Sequence, residues 1–327
     1  MIAYVIRRVL NALIVLLVVA FVSFLLFNFV GDPVTNMLGE NAPPADKDAL
    51  RVALGLDQPM LMQFLHFVAR AAGGEFGLSF RNLVPVAEIL RTRVPATLEL
   101  SICAMVLALA IGIPTGVYTG LRRNAPIAQT IQALSLVGVS VPSFVTGILL
   151  ILVFAVELGW FASFGRGDVV ALGWWTTGLL TVSGLKSLVL PTITLALFPA
   201  TLIMRLVRAE MLEVLRTDYV RFARARGLTH RAVHFGHALK NTLVPVITIT
   251  GLQLGSVIAF AILTETVFQW PGLGLLVVQA MTFGDIPVLS AYLLLVATLF
   301  VSINLTVDLL YYAVDPRLRL EQRAAAG

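Results

Sequence analysis

Charge is scarce in this sequence: Asp, Glu, Lys and Arg supply 13% of its 327 residues, where a soluble domain carries about 25%. Apolar residues supply 58%, more than any soluble core of this length needs, so lipid is the natural solvent. Cysteine is nearly absent. Cys103 stands alone, which excludes an intrachain disulfide framework. No G-x-x-x-x-G-K-[ST] loop occurs, nor even a Gly-Lys dipeptide, so the usual cradle for nucleotide phosphates is missing. No H-E-x-x-H or C-x-x-C occurs either. Nothing here calls for a cofactor, a metal or a catalytic residue.

Acids are equally sparse inside the apolar runs. Glu99, Glu157 and Glu265 fall near predicted helix ends, and Asp308 lies about a turn from the end of the last run. An ion-coupled transporter needs central ionisable groups. Their scarcity leaves the driving energy to a partner.

What is present is apolar sequence in long runs. Six are long enough to cross a hydrocarbon core about 30 Å thick: about 9–30, 96–120, 128–158, 188–208, 243–264 and 287–312. The chain therefore reads as an all-α membrane protein with six transmembrane helices. The run after Arg7 and Arg8 is too long for a signal peptide and lacks a small-x-small cleavage site, so it reads as a retained first span. The third run is over-long, and Pro142 divides it.

Positive charge sets the topology. Arg7 and Arg8, Arg122 and Arg123, the arginine-rich 205–242 segment and the tail with Arg317, Arg319 and Arg323 all fall on one side of six spans. The opposite loops at 159–187 and 265–286 hold only Arg166 and Lys186. Both termini are therefore expected to be cytoplasmic. The net charge of +5 thus argues orientation and not nucleic-acid binding. Four parts result: a first span at 1–30, a cap on the outer face at 31–95, a five-helix core at 96–314 that includes the 209–242 loop, and a cytoplasmic tail at 315–327. Within the cap, Asp46–Leu54 and Gln58–Ala72 read as helices, broken by Gly73, Gly74 and Gly77. Gly112, Gly116 and Gly120, and separately Gly251 and Gly255, form small faces for close helix packing.

The 209–242 loop is too polar to span and too patterned to be a linker. Met211, Val214, Leu215, Tyr219, Phe222 and Leu228 form an apolar stripe beside arginines. Gly227 is a helix terminator, and Thr229 can cap a second helix over His230–Leu239. Such an element must bury its apolar face on a partner or on the bilayer surface. His230, His234 and His237 share a helix face, but no nearby carboxylate or cysteine completes a metal shell, and they read as a polar helix face.

The run Asp218-Tyr219-Val220-Arg221-Phe222-Ala223-Arg224-Ala225-Arg226-Gly227-Leu228, followed by His237-Ala238-Leu239-Lys240-Asn241 and Val244-Pro245, resembles the cytoplasmic loop of ABC importer permeases. It is most similar to the dipeptide/oligopeptide/nickel branch (the DppB/OppB type). Leu54-Gly55-Leu56-Asp57-Gln58-Pro59, Gly77-x-Ser79, Pro95-Ala96-Thr97-Leu98-Glu99-Leu100, Val267-Phe268-x-x-Pro271-Gly272-Leu273-Gly274 and Asp315-Pro316-Arg317 fit the same branch in order, so the resemblance covers nearly the whole chain. Two departures stand out. Phe222 replaces a small Thr, and Phe283-Gly284-Asp285 replaces an Arg-Asp pair.

The resemblance implies a type I ABC importer permease that moves di- or oligopeptides across a bacterial inner membrane and is not itself an enzyme. It implies as partners a second homologous permease, one or two ATP-binding subunits that hydrolyse ATP, and a periplasmic or lipid-anchored peptide-binding protein. Asp218, Tyr219, Arg221, Phe222, Ala223, Arg224, Arg226, Gly227 and Leu228 would form the coupling helix that docks in an ATPase subunit, with Phe222 and Ala223 as its apolar contact. Ser135, Ser140, Ser143, Thr146, Gln253, Ser256 and Thr264 are candidate pore-lining residues; ordinary helix–helix hydrogen bonding is the competing role for each. The same architecture serving nickel chelates, opines or oligosaccharides stays open, as does an ion-coupled transporter.

Overall fold

A computed structural model describes residues 2–29, 33–39, 41–53 and 55–314. The tail assigned to 315–327 lies outside the described residues. Among the described residues, the regular structure is helical apart from one small hairpin. In order it runs α1 (Ile2–Phe29), α2 (Pro33–Leu38), α3 (Pro44–Ala53), α4 (Met60–Ala72), α5 (Val86–Leu121), α6 (Pro126–Ser140) and α7 (Ser143–Leu150). A π-helical turn, Ile151–Glu157, extends α7. The strands β1 (Val170–Leu172) and β2 (Trp175–Thr177) pair antiparallel. Then follow α8 (Val182–Val214), α9 (Asp218–Ala225), a second π-helical stretch Ala232–Ala238, α10 (Leu239–Val267), α11 (Leu273–Phe283) and α12 (Ile286–Val314).

Among the described residues, five helices are long and apolar enough to cross a membrane, and a sixth crossing results if the α6 and α7 segments count as one broken span. That span bends by 105° where Pro142 denies a backbone donor and pushes Val141 out of the helical region. The division expected at Pro142 is therefore present as a sharp corner.

α5 differs from its sequence-based limits. It begins at Val86, inside the stretch assigned to the cap, because Val86 and Leu90 are buried against Leu273, Leu276 and Val277 of α11. The cap is correspondingly shorter. Its longest helix, α4, lies against α1 through aromatic rings: Phe64 meets Phe21 and Phe24, and Phe67 meets Phe24 and Phe27, at centroid separations from 5.5 to 6.5 Å. The Gln63 amide donates to the carbonyls of Leu56 and Gln58, which fixes the turn before α4.

α5 and α8 form the centre of the bundle. Gly112, Gly116 and Gly120 form the expected small face, and α8 lies directly on it. A Cβ placed on Gly116 would stand 2.6 Å from Val207 Cβ and 2.7 Å from the Met204 carbonyl. One on Gly112 would stand 2.8 Å from the Ala200 carbonyl. Helices in lipid gain little from hydrophobic exclusion, so this backbone proximity supplies dispersion in its place. Gly251 and Gly255 of α10 do the same against Val307 and Phe300 of α12. Ion pairing adds one tie: Arg8 Nη1 lies 2.9 Å from Asp308 Oδ2, joining α1 to α12.

The spans alternate in direction, so the bundle has two distinct ends. One carries α9; the other carries the β-hairpin and the α11 corner. Gly116→Leu is expected to destabilise the purified protein by about 1–3 kcal/mol or more, since neither Val207 nor the Met204 carbonyl can retreat. Gly236→Ala meets nothing within 4 Å and is expected to stay within about 0.5 kcal/mol of the parent. Thermal unfolding in detergent checks both.

Candidate functional site

At the α9 end, the chain leaves α8 through Leu215 and re-enters helix at Asp218. α9 has two faces. Val220 and Ala223 are buried with Val233, and Val214 and Leu215 pack on the same small cluster. The opposite face presents Phe222, 64% exposed, with Tyr219 at 41% and Leu228 at 43% following it. A soluble protein rarely leaves a Phe this open beside two further apolar residues without using them. Arginines frame the patch. The Arg226 guanidinium lies 5.7 Å from the Phe222 ring centroid, and Arg221 pairs with Asp218 at 3.2 Å in full solvent. Ala223, expected beside Phe222 at the apolar contact, instead turns inward, because i+1 on a helix rotates a side chain by about 100°.

Gly227 has φ +77 and open space where a Cβ would be. Its glycine is demanded by backbone conformation and not by room. The chain then turns back. Thr229 Oγ1 accepts from the Ala232 amide at 3.3 Å, as expected of a cap. The helix it starts is not separate, however: it passes through the π-helical 232–238 stretch straight into α10. Asn241 Nδ2 donates to the Tyr219 hydroxyl at 2.7 Å. α9 is thus fastened to α8 by Val214 and Leu215 and to α10 by Val233 and Asn241. The His230 and His234 rings lie 5.8 Å apart. Partial burial, followed by the nearby Arg224 and His230 charges, holds the His234 imidazole below its ordinary pKa. Among the described residues, no three His, Cys, Asp or Glu side chains gather into a metal-holding group.

The opposite end is held by acids that sequence reasoning passed over as helix-end residues. Glu99 of α5 is buried and ion-paired with the buried Arg166. Its Oε1 also accepts from the Thr177 hydroxyl at 2.9 Å and from the Gly178 and Leu179 amides at 2.9 and 3.2 Å. Arg166 Nη1 donates to Thr176 Oγ1 at 2.9 Å, and Nη2 to the Thr176 carbonyl at 2.6 Å. The β-hairpin is thereby pinned onto α5.

Two residues earlier, Thr97 Oγ1 donates to Glu265 of α10 at 2.6 Å and accepts from the Leu273 amide at 2.7 Å. Glu265 also accepts from the Leu275 amide at 3.0 Å. A Cβ on Gly272 would collide with the Glu265 carboxylate, and one on Gly274 with the Ile262 backbone. Pro271-Gly272-Leu273-Gly274 is therefore a collar around one buried carboxylate. The Trp270 indole donates to the Ala96 carbonyl at 2.9 Å. A third acid, Asp285, accepts from Ser79 Oγ at 2.5 Å and the Phe80 amide at 3.1 Å. Phe283, a departure from the family pattern, carries the Arg81 guanidinium 3.5 Å over its ring. Glu99 and Glu265 at the ends of apolar runs, with Arg166 the one basic residue in the loop before α8, were the available signal.

Between these ends, a cavity of about 460 Å³ opens at the α6–α7 corner, flanked by α8 and α10. Ser143, Thr146, Gln253 and Ser256 line it. Ser135 does not; its hydroxyl donates to the Gln132 carbonyl on its own helix at 2.7 Å. Ser140 and Thr264 also lie outside its lining, Thr264 being buried in the bundle.

Residues 112–320 match the family model described as binding-protein-dependent transport system inner membrane component, and residues 1–101 match the corresponding N-terminal model. The chain is 40% identical over 332 residues to the dipeptide transport system permease protein DppB of Alkalihalophilus pseudofirmus, covering 98% of this chain and 100% of that one. It is 41% identical over 319 residues to the protein of the same description in Escherichia coli K12, covering 91% and 94%. Among solved structures, an inward-facing MetNI methionine ABC transporter is similar in fold, with TM-score 0.57 at 22% identity, over 69% of this chain and 96% of that one.

Arg166→Met leaves the Glu99 carboxylate buried without its counter-charge, a loss of about 3–5 kcal/mol. Adding Glu99→Gln removes that charge and is expected to recover part of the loss. Comparing melting temperatures of the single and double variants in detergent checks the pairing.

Proposed function

The chain belongs to the family of binding-protein-dependent transport system inner membrane components, and from that premise we propose that it forms one half of a path for di- and oligopeptides. It is a permease subunit of an ABC importer, a non-catalytic membrane component whose ATP hydrolysis is carried out by partner subunits. Peptide as cargo is supported by identity of 40 and 41%, over nearly full length, to two dipeptide permeases. The partners proposed are a second homologous permease, one or two ATP-binding subunits and a peptide-binding protein.

The exposed Phe222 on a helix tied to two spans carries the mechanical reading. α9 docks in a cleft of an ATP-binding subunit, with Phe222 inserted and Tyr219 and Leu228 beside it. Arg221, Arg224 and Arg226 form the polar rim around that contact. Nucleotide-driven closure of the ATPase pair displaces α9. Because Val220 and Ala223 are packed on Val233, and Asn241 bonds to Tyr219, the displacement reaches α8 and α10 together. The glycine-lined α5–α8 contact keeps those two spans as one body, while the bundle tilts to open one side or the other.

Sidedness is read from the same end. Arg205, Arg208, Arg216, Arg221, Arg224, Arg226 and Arg231 cluster at the α9 end, while the loop between α7 and α8 holds Arg166 and the first turns of α8 hold Lys186. By the positive-inside rule this distribution supports an α9 end, and with it both termini, facing the cytoplasm.

Phe222→Asp puts a charge where an apolar ring is to be buried. Copurification of the ATP-binding subunit and peptide uptake should both fall by about tenfold or more. Membrane insertion should be unchanged, since the side chain is exposed in this chain alone. Wild-type uptake and association by this variant would remove α9 as the docking element.

A further inference from the structure

Hydroxyl side chains in this bundle repeatedly bond back to their own helix. Thr115, Thr119, Thr194, Thr242, Thr266 and Thr298 each donate to the carbonyl four residues earlier. That habit satisfies a polar group in a setting where water does not reach. Ser101, Thr192, Thr248 and Thr250 depart from it singly, and three further side chains depart from it together around the cavity at the α6–α7 corner. Ser143, Thr146 and Gln253 make no side-chain hydrogen bond among the described residues, and all three line the same cavity of about 460 Å³. They come from different elements, Ser143 and Thr146 from α7 and Gln253 from α10. The rest of the wall is mostly apolar and includes the exposed Phe198, Phe260 and Leu263, and no Asp, Glu, Lys, Arg or His lines it.

We infer that Gln253, with Ser143 and Thr146, is a reader of peptide main chain: a neutral hydrogen-bonding site for the amide group that all short peptides share. This rests on the peptide reading above and extends it to particular residues. A carboxamide both donates and accepts, as a peptide amide does, so the two can pair without charge on either side. Two hydroxyls opposite can serve whichever partner remains. Half-buried in an apolar wall and committed to no partner in the chain, these groups are available to a passing amide. A fixed charge would instead hold one class of side chain and repel its opposite. The apolar remainder of the wall accepts side chains of varied shape without specifying them. The site therefore recognises what peptides have in common and is indifferent to how they differ.

The test uses the whole transporter, with its ATP-binding subunits, second permease and binding protein, reconstituted in liposomes. Uptake is measured for Ala-Ala, Ala-Lys and Ala-Asp. Gln253→Leu is expected to lower uptake of all three by a similar factor, about tenfold, with subunit association intact. Gln253→Glu is expected to separate them, favouring Ala-Lys over Ala-Asp by about tenfold relative to the parent. That shift in selectivity is not produced by a merely structural residue. Parent-like uptake and parent-like selectivity in both variants would overturn the assignment of Gln253. Failure of the parent transporter to move any of the three peptides would overturn the peptide reading itself.

Discussion

The bareness of one edge of α5 is the constraint from which the rest of the bundle follows. Gly112, Gly116 and Gly120 add no side chain of their own, so Ile203, Val207 and Met211 of α8 seat directly on the α5 backbone. Toward the other end of the same helix, Ala96, Thr97 and Glu99 supply the polar atoms to which both opposite-end loops are tied. α5 is therefore a spine with a smooth half and an adhesive half. The smooth half fixes where α8 lies. The adhesive half fixes the β-hairpin and the collar around Glu265. α10 is reached from both, since Glu265 belongs to it and α8 packs beside it.

Much of this was legible in residue order. Apolar run length located the five long apolar helices and the broken α6–α7 pair, because the thickness of hydrocarbon admits few other readings. Pro142 marked the corner in the third span through its missing N–H, and Gly227 marked the end of α9 through its backbone freedom. Boundaries were less legible. The start of α5 at Val86 depends on α11, which lies far along the chain and packs on Val86 and Leu90. The inward turn of Ala223 depends on Val233 in the same way. Periodicity gave the stripe on α9 but not which neighbour would take each half of it.

The buried acids were the least legible part. Glu99 and Glu265 read as helix-end residues because sequence distance to the nearest polar segment was short. What decides their role is the partner set: Arg166, Thr177 and two amides for one, Thr97 and a glycine-built collar for the other. None of those partners is near its acid in the chain except the collar. The family motifs around them are thus explained by satisfaction of carboxylates away from water, with glycine wherever a carboxylate fills the space a side chain would need.

The π-helical stretch Ala232–Ala238 bears on phase. Each of its turns holds an extra residue compared with the α-helix on either side. The side chains of α10 are thereby rotated about the helix axis relative to an unbroken continuation from Thr229. Orientation of Gln253 and Glu265 around the bundle is consequently set by surplus backbone ahead of α10, much as one added tooth re-indexes a gear. Lengthening or shortening that stretch re-aims a whole span without altering any residue within it.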